Sequence, residues 1–212
     1  MLTIMSNWDN ANMFMKQNKR QEEFKLRSTT VAIAKRMAEQ NIIDVDWLQL
    51  LWAINFASGQ LLGDDDSVLG LSAYEQSIAV ARRLIGRENT NPEWQLYLEE
   101  SYRGMGEMVD YHGNAEKALE YYQQSLTIAQ TWSAQDASNP DWQRALELGY
   151  ANMGDMYVEQ RKYEEARSAY DQSLTLAKRL AEQEPVNSKW QRDLELAYER
   201  VGIINRKMKL TH

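Results

Sequence analysis

Between residues 139 and 186 the apolar side chains fall into two stripes at helical spacing. Trp142, Leu146, Tyr150, Met153 and Tyr157 follow one another at +4, +4, +3 and +4, one face of an amphipathic helix. Tyr163, Ala166, Tyr170, Ser173, Leu174 and Ala177 repeat that spacing on a second helix ending before Pro185. Asn139 offers a side-chain oxygen to the first orphan N–H groups. Pro140 suits the first helical position, where its missing donor costs nothing. Arg161-Lys162 marks the turn between the two. The segment therefore predicts an antiparallel helix pair.

The same pattern recurs along the chain. Trp47, Trp94, Trp142 and Trp190 lie 47, 48 and 48 residues apart, three of them behind Asn91-Pro92, Asn139-Pro140 and Asn187-Ser188. Leu51, Leu98, Leu146 and Leu194 stand four residues after each Trp, and Gly59, Gly106, Gly154 and Gly202 twelve after it. Tyr74, Tyr122 and Tyr170 are each followed by a Ser at +3, and Ala34, Ala81, Ala129 and Ala177 form a further row. So many rows in one register define an internal repeat. It predicts a degenerate pair at 3–17 and 20–40, and complete pairs at 45–62/66–87, 92–112/114–136 and 140–160/163–184. A lone helix at 188–209 closes the series. As one domain over 1–212, this divides into a degenerate stretch (1–44), three repeats (45–90, 91–138, 139–186) and a C-terminal segment (187–212).

These residues resemble the tetratricopeptide repeat. Tyr150, Met153, Gly154, Tyr157, Tyr163, Ala166, Tyr170 and Ser173 match its large-x-x-large-Gly, aromatic, Ala, aromatic and small positions, as do Tyr102, Met105, Gly106, Ala118, Tyr122 and Ser125 one unit earlier. The first unit departs, with Asn55 for the aromatic, Gly70 for the Ala and a turn, Gly63-Asp64-Asp65-Asp66, one residue short. The family repeat is about 34 residues long; the longer period resembles a long-helix variant common in bacterial multidomain proteins. The resemblance implies an all-α fold, a right-handed α-solenoid of stacked antiparallel helix pairs with about nine helices. It also implies a partner protein or peptide bound in the concave groove.

Composition narrows the chemistry. The chain has no Cys and only two His, His112 and His212, which excludes a disulfide framework, a Cys-ligated zinc site and a thiol nucleophile. The ten Met read as core filler, and the Trp and Tyr rows as packing between repeats rather than a ligand cage. Asp64-Asp65-Asp66 lacks the alternation, Gly and closing Glu of a calcium loop, so Asp66 or Ser67 reads as a helix cap. His112, before Gly113-Asn114, marks a helix stop. Glu99-Glu100, Glu107 and Asp110 imitate a carboxylate pair, but on a solvated helix they lack the desolvation that tunes one. No catalytic residue, cofactor or metal site is expected.

Net charge is −7, which argues against a nucleic-acid partner. The acidity is regional: residues 91–160 hold twelve acids and three bases, a local −9, whereas residues 198–212 sum to +3. No apolar run reaches the roughly 18 residues of a membrane span, and Met1 to Trp8 lacks the basic region of a signal peptide. The expected compartment is the cytoplasm.

By resemblance, the first helix of each pair lines the concave face. That assigns Phe56 and Gln60 in the first unit, Glu100, Arg103, Glu107 and Asp110 in the second, and Ala151, Asn152, Asp155 and Glu159 in the third. Glu199, Ile203 and Arg206 follow on the last helix. Acids replace the Lys/Asn clamp of chaperone-binding relatives. A basic or amphipathic partner segment is therefore expected, with Glu107→Lys plus Asp155→Lys abolishing capture at unchanged melting temperature. Arg103 reads as a partner of Glu99 or Glu107. The expected role is a non-catalytic scaffold or adaptor. A peptide-sensing regulator and a regulatory subunit of a separate enzyme are the alternatives. The basic C-terminal helix is either a cap or a docking surface for self-association.

Overall fold

The computed structural model describes residues 20–38, 44–62 and 67–210. They form eight helices and no strand: α1 (Arg20–Ala38), α2 (Val45–Leu62), α3 (Ser67–Ile85), α4 (Pro92–Tyr111), α5 (Ala115–Gln135), α6 (Pro140–Glu159), α7 (Tyr163–Gln183) and α8 (Ser188–Lys209). Each predicted helix from residue 20 onward is present, with ends within two residues of expectation. The predicted helix at 3–17, the Gly63–Asp66 turn and the Asp66 cap lie outside the described residues.

The helix starts follow from local chemistry. Asn91 Oδ1 accepts from the Glu93 N–H at 3.0 Å, and Asn139 Oδ1 from the Asp141 N–H at 3.0 Å and Trp142 N–H at 3.4 Å. Asn187 does the same for Lys189 and Trp190, at 3.2 and 3.3 Å. Each cap satisfies donors the helix itself cannot. At the other end of α4, His112 is the C-cap and Gly113 takes the left-handed conformation at φ 81°, where glycine carries no Cβ penalty.

The chain forms two compact units, Met1–Asn114 and Ala115–His212. In unit 1, α1 packs on α2, α2 on α3 and α3 on α4, with α1 also touching α3 and α2 touching α4. In unit 2, α5 packs on α6, α6 on α7 and α7 on α8. Within each unit, successive helices are therefore stacked in the α-solenoid manner.

The repeated aromatics and glycines form the seams. In unit 1 the Trp52 indole stacks on Tyr97 with centroids 3.8 Å apart, and its Nε1–H donates to Ser101 Oγ at 2.9 Å. The Tyr74 ring lies between Gly59 and Gly104. A Cβ on Gly59 would come within 2.7 Å of the ring, and one on Gly104 would overlap it. In unit 2 Gly154 meets Tyr170 in the same way, and Trp132 stacks on Trp142 at 5.7 Å. Trp94, Trp142 and Trp190 are all buried.

Candidate functional site

In unit 1, Gln60 at the end of α2 and Glu107 on α4 line one hollow of about 310 Å³. Tyr74 forms its wall, pinned between the two glycines, and Met108 and Tyr111 complete the side along α4. Tyr111 is 73% exposed and stands as an aromatic shelf at the helix end. Burial pushes the Tyr74 phenol well above its ordinary pKa, and the Glu107 carboxylate adds to the shift while Arg103 opposes it. Tyr74 is thus a neutral donor at physiological pH.

Arg103 belongs to the acid row, as its spacing suggested. Its guanidinium lies 3.5 Å from Glu99 and 3.2 Å from Glu107. Desolvation opposes its charge, but Glu99, Glu107 and Glu100 outweigh that and hold it firmly protonated. The Glu107 side chain remains 52% exposed while Arg103 is 14% exposed. An incoming cation therefore meets the carboxylate before it meets the guanidinium. Phe56 stacks on Trp52 at 5.1 Å and touches the edge of Tyr74, so it supports the hollow without lining it. Glu100 and Asp110 are half-buried on α4.

Two expectations about the acids are corrected. Glu99 is not on a solvated face: it is fully buried, as is Glu147. Both stand five residues after their Trp. Asp155 is not a free groove acid either. Its Oδ1 accepts from the Tyr170 hydroxyl at 2.6 Å, and Arg200 reaches its two oxygens at 3.3 and 3.1 Å. Asp155 ties α6 to α7 and α8, so Asp155→Lys breaks a structural network and cannot leave the melting temperature unchanged.

Beside it, Glu147 Oε1 accepts from Ser173 Oγ at 2.7 Å, while the buried Oε2 has no hydrogen-bond partner. Burial raises the Glu147 pKa to about 7. Ser173 lowers it, Asp193 raises it, and Arg144 and Arg200 lower it. Arg144 is itself paired with Asp193 at 2.8 Å. Asn152 is half-buried, Ala151 is buried, and Glu159, Glu199 and Arg206 are exposed.

A second hollow of about 670 Å³ in unit 2 contains none of the predicted residues. Leu146 and Tyr150 of α6 form its floor, and the polar face of α7 from Glu164 to Thr175 its wall, closed by Leu176. Among the described residues, no cluster of three or more His, Asp or Glu side chains is placed to hold a metal ion. No described helix is long and apolar enough to cross a membrane.

Helix pairs stacked in this way within each unit define a helical-repeat fold. Residues 150–185, the second half of α6 and all of α7, match the tetratricopeptide repeat family, so the chain carries a repeat of that family. Such repeats generally bind proteins or peptides and are generally not catalytic. Among solved structures, the chain is similar to the crystal structure of BtubC (BKLC) from P. vanneervenii. The identity is 14% over 94% of this chain and 78% of that one, with a TM-score of 0.53. At that identity the likeness is one of fold. No curated protein matches the sequence.

Proposed function

We propose that this protein is a non-catalytic scaffold or adaptor, working in the cytoplasm, that captures a basic or amphipathic segment of a partner protein in the groove of its repeats. The observation that carries this reading is the unit 1 hollow, where the half-exposed Glu107 carboxylate stands beside Gln60, Tyr74 and the exposed Tyr111 ring. A Lys or Arg side chain lays its methylenes along Met108 and Tyr111 and places its charge on Glu107. Glu100 and Asp110 on the same helix add to the local field. Unit 2 contributes less than the charge count suggests, because Asp155 holds both the Tyr170 hydroxyl and the Arg200 guanidinium.

Selection of peptides from a random display library on the full chain tests this reading. The expected consensus carries one or two Lys or Arg beside an apolar flank, and it is lost on Glu107→Lys. Binding should also weaken as salt rises from 50 to 500 mM, since the contact is largely exposed. A neutral or acidic consensus, or one indifferent to Glu107→Lys, refutes it.

A further inference from the structure

We infer that α8 pairs with the α8 of a second copy through a self-complementary face, giving a two-fold dimer. This inference is independent of the groove described above. It starts from the glycine row. Gly59 seats Tyr74 and Gly154 seats Tyr170, in each case a first helix receiving the tyrosine of the helix that follows. Gly202 holds the same register on α8, yet a Cβ built there meets only the tip of Arg206, at 3.7 Å. The socket is present, and among the described residues no tyrosine fills it.

The same helix carries a half-exposed tyrosine, one side of whose ring lies under the Lys178 ammonium of α7, 5.1 Å from its centroid. Tyr198 is 52% exposed and lies four residues before Gly202, so knob and socket share one face. Two copies of α8 packed antiparallel about an axis near residue 200 place each Tyr198 over the partner's Gly202. That arrangement brings Glu195 within one residue of standing opposite Arg206 of the other copy. Glu195 and Arg206 are exposed and enter no ion pair among the described residues. Socket, knob and opposite charges therefore match at a single register, which is the requirement for an isologous interface. One helix pair is small for an interface, so the dimer is of the weak, concentration-dependent kind.

Sedimentation equilibrium of the full chain across about 5 to 500 µM tests this. The expected result is a reversible rise from 24.7 kDa toward twice that mass and no further. Gly202→Leu fills the socket and should weaken association at least tenfold. It also replaces a helix-interior glycine with a better helix former, so the fold is not put at risk. Glu195→Arg should weaken the dimer, and adding Arg206→Glu should restore it. The chain has no Cys, so a single cysteine is a clean reporter. Glu199→Cys, near the axis, should oxidise to a linked dimer. Arg192→Cys should not, because its two copies would lie about 24 Å apart along the axis at 1.5 Å per residue. A monomer at every concentration overturns the inference. So do mass growth beyond two copies, which would indicate a head-to-tail or otherwise open arrangement, and equal cross-linking by the two cysteine variants.

Discussion

Glu147→Gln isolates the cost of the buried carboxyl in unit 2. Glu147 is 1% exposed, and its pKa is raised from 4.5 to about 7, chiefly by loss of water. An acid with a raised pKa favours the fold in its neutral form. Between pH 4.5 and 7 the unfolded chain has released this proton and the folded chain has kept it. Stability therefore falls through that window and levels off above it. A shift of that size, at about 1.4 kcal/mol per unit, amounts to about 3 kcal/mol. Gln keeps an acceptor for the Ser173 hydroxyl and removes the titration. The variant should match the parent near pH 4 and exceed it by about 3 kcal/mol at pH 8, on the order of 10 °C in melting temperature. Urea titrations at both pH values, followed by tryptophan fluorescence, measure the difference. A variant no more stable than the parent at pH 8 would refute the burial argument. So would one whose advantage is the same at both pH values.

Other substitutions test the seams. Gly154→Val drives two methyl groups into the Tyr170 ring and should cost about 1–3 kcal/mol by overpacking, read as a lower urea midpoint. Trp52→Phe keeps the stack on Tyr97 but leaves the buried Ser101 hydroxyl without the indole donor, and should cost about 1–3 kcal/mol in the same assay. Asp155→Lys places a cation against Arg200 and should lower the melting temperature. Glu107→Lys, at a half-exposed site, should change stability by less than about 1 kcal/mol.

The fold was legible because its signals are local and repeated. Asn caps, prolines at the first helical position and the Trp, Gly and Tyr rows each act within a few residues of where they stand. Periodicity also identified the packed face. It could not say which polar residue on that face is buried, because this depends on what a neighbouring helix offers. Glu147 survives in the interior because Ser173 reaches it from α7 and two arginines stand nearby. Glu195, at the same position after its Trp, is exposed on α8. Asp155 looked like a groove acid because Arg200 lies 45 residues away in sequence. Of the residues that sequence assigned to the groove, Gln60 and Glu107 meet in one hollow, and Tyr74 and Tyr111, which sequence did not assign to it, complete that hollow.

The charge balance takes a different meaning once these contacts are known. A local −9 suggested one acidic field, yet three of its twelve acids are engaged in other ways. Burial raises the Glu147 pKa to about 7, Asp155 is ion-paired with Arg200, and Glu99 shares Arg103 inside the core. On the proposed reading, what a partner meets in the unit 1 hollow is the half-exposed Glu107, flanked by Glu100 and Asp110 on α4. Recognition built on so few carboxylates should depend on one or two basic side chains rather than on a polybasic tract. Its dependence on salt should then be shallow, and the apolar contacts with Met108 and Tyr111 should supply the rest of the affinity. Tyr111→Ala, which removes only the exposed shelf, is expected to reduce capture of a Lys-bearing peptide at high salt, where Glu107→Gln has little left to remove. The opposite ranking would mean that the acids, and not the aromatic wall, carry the binding.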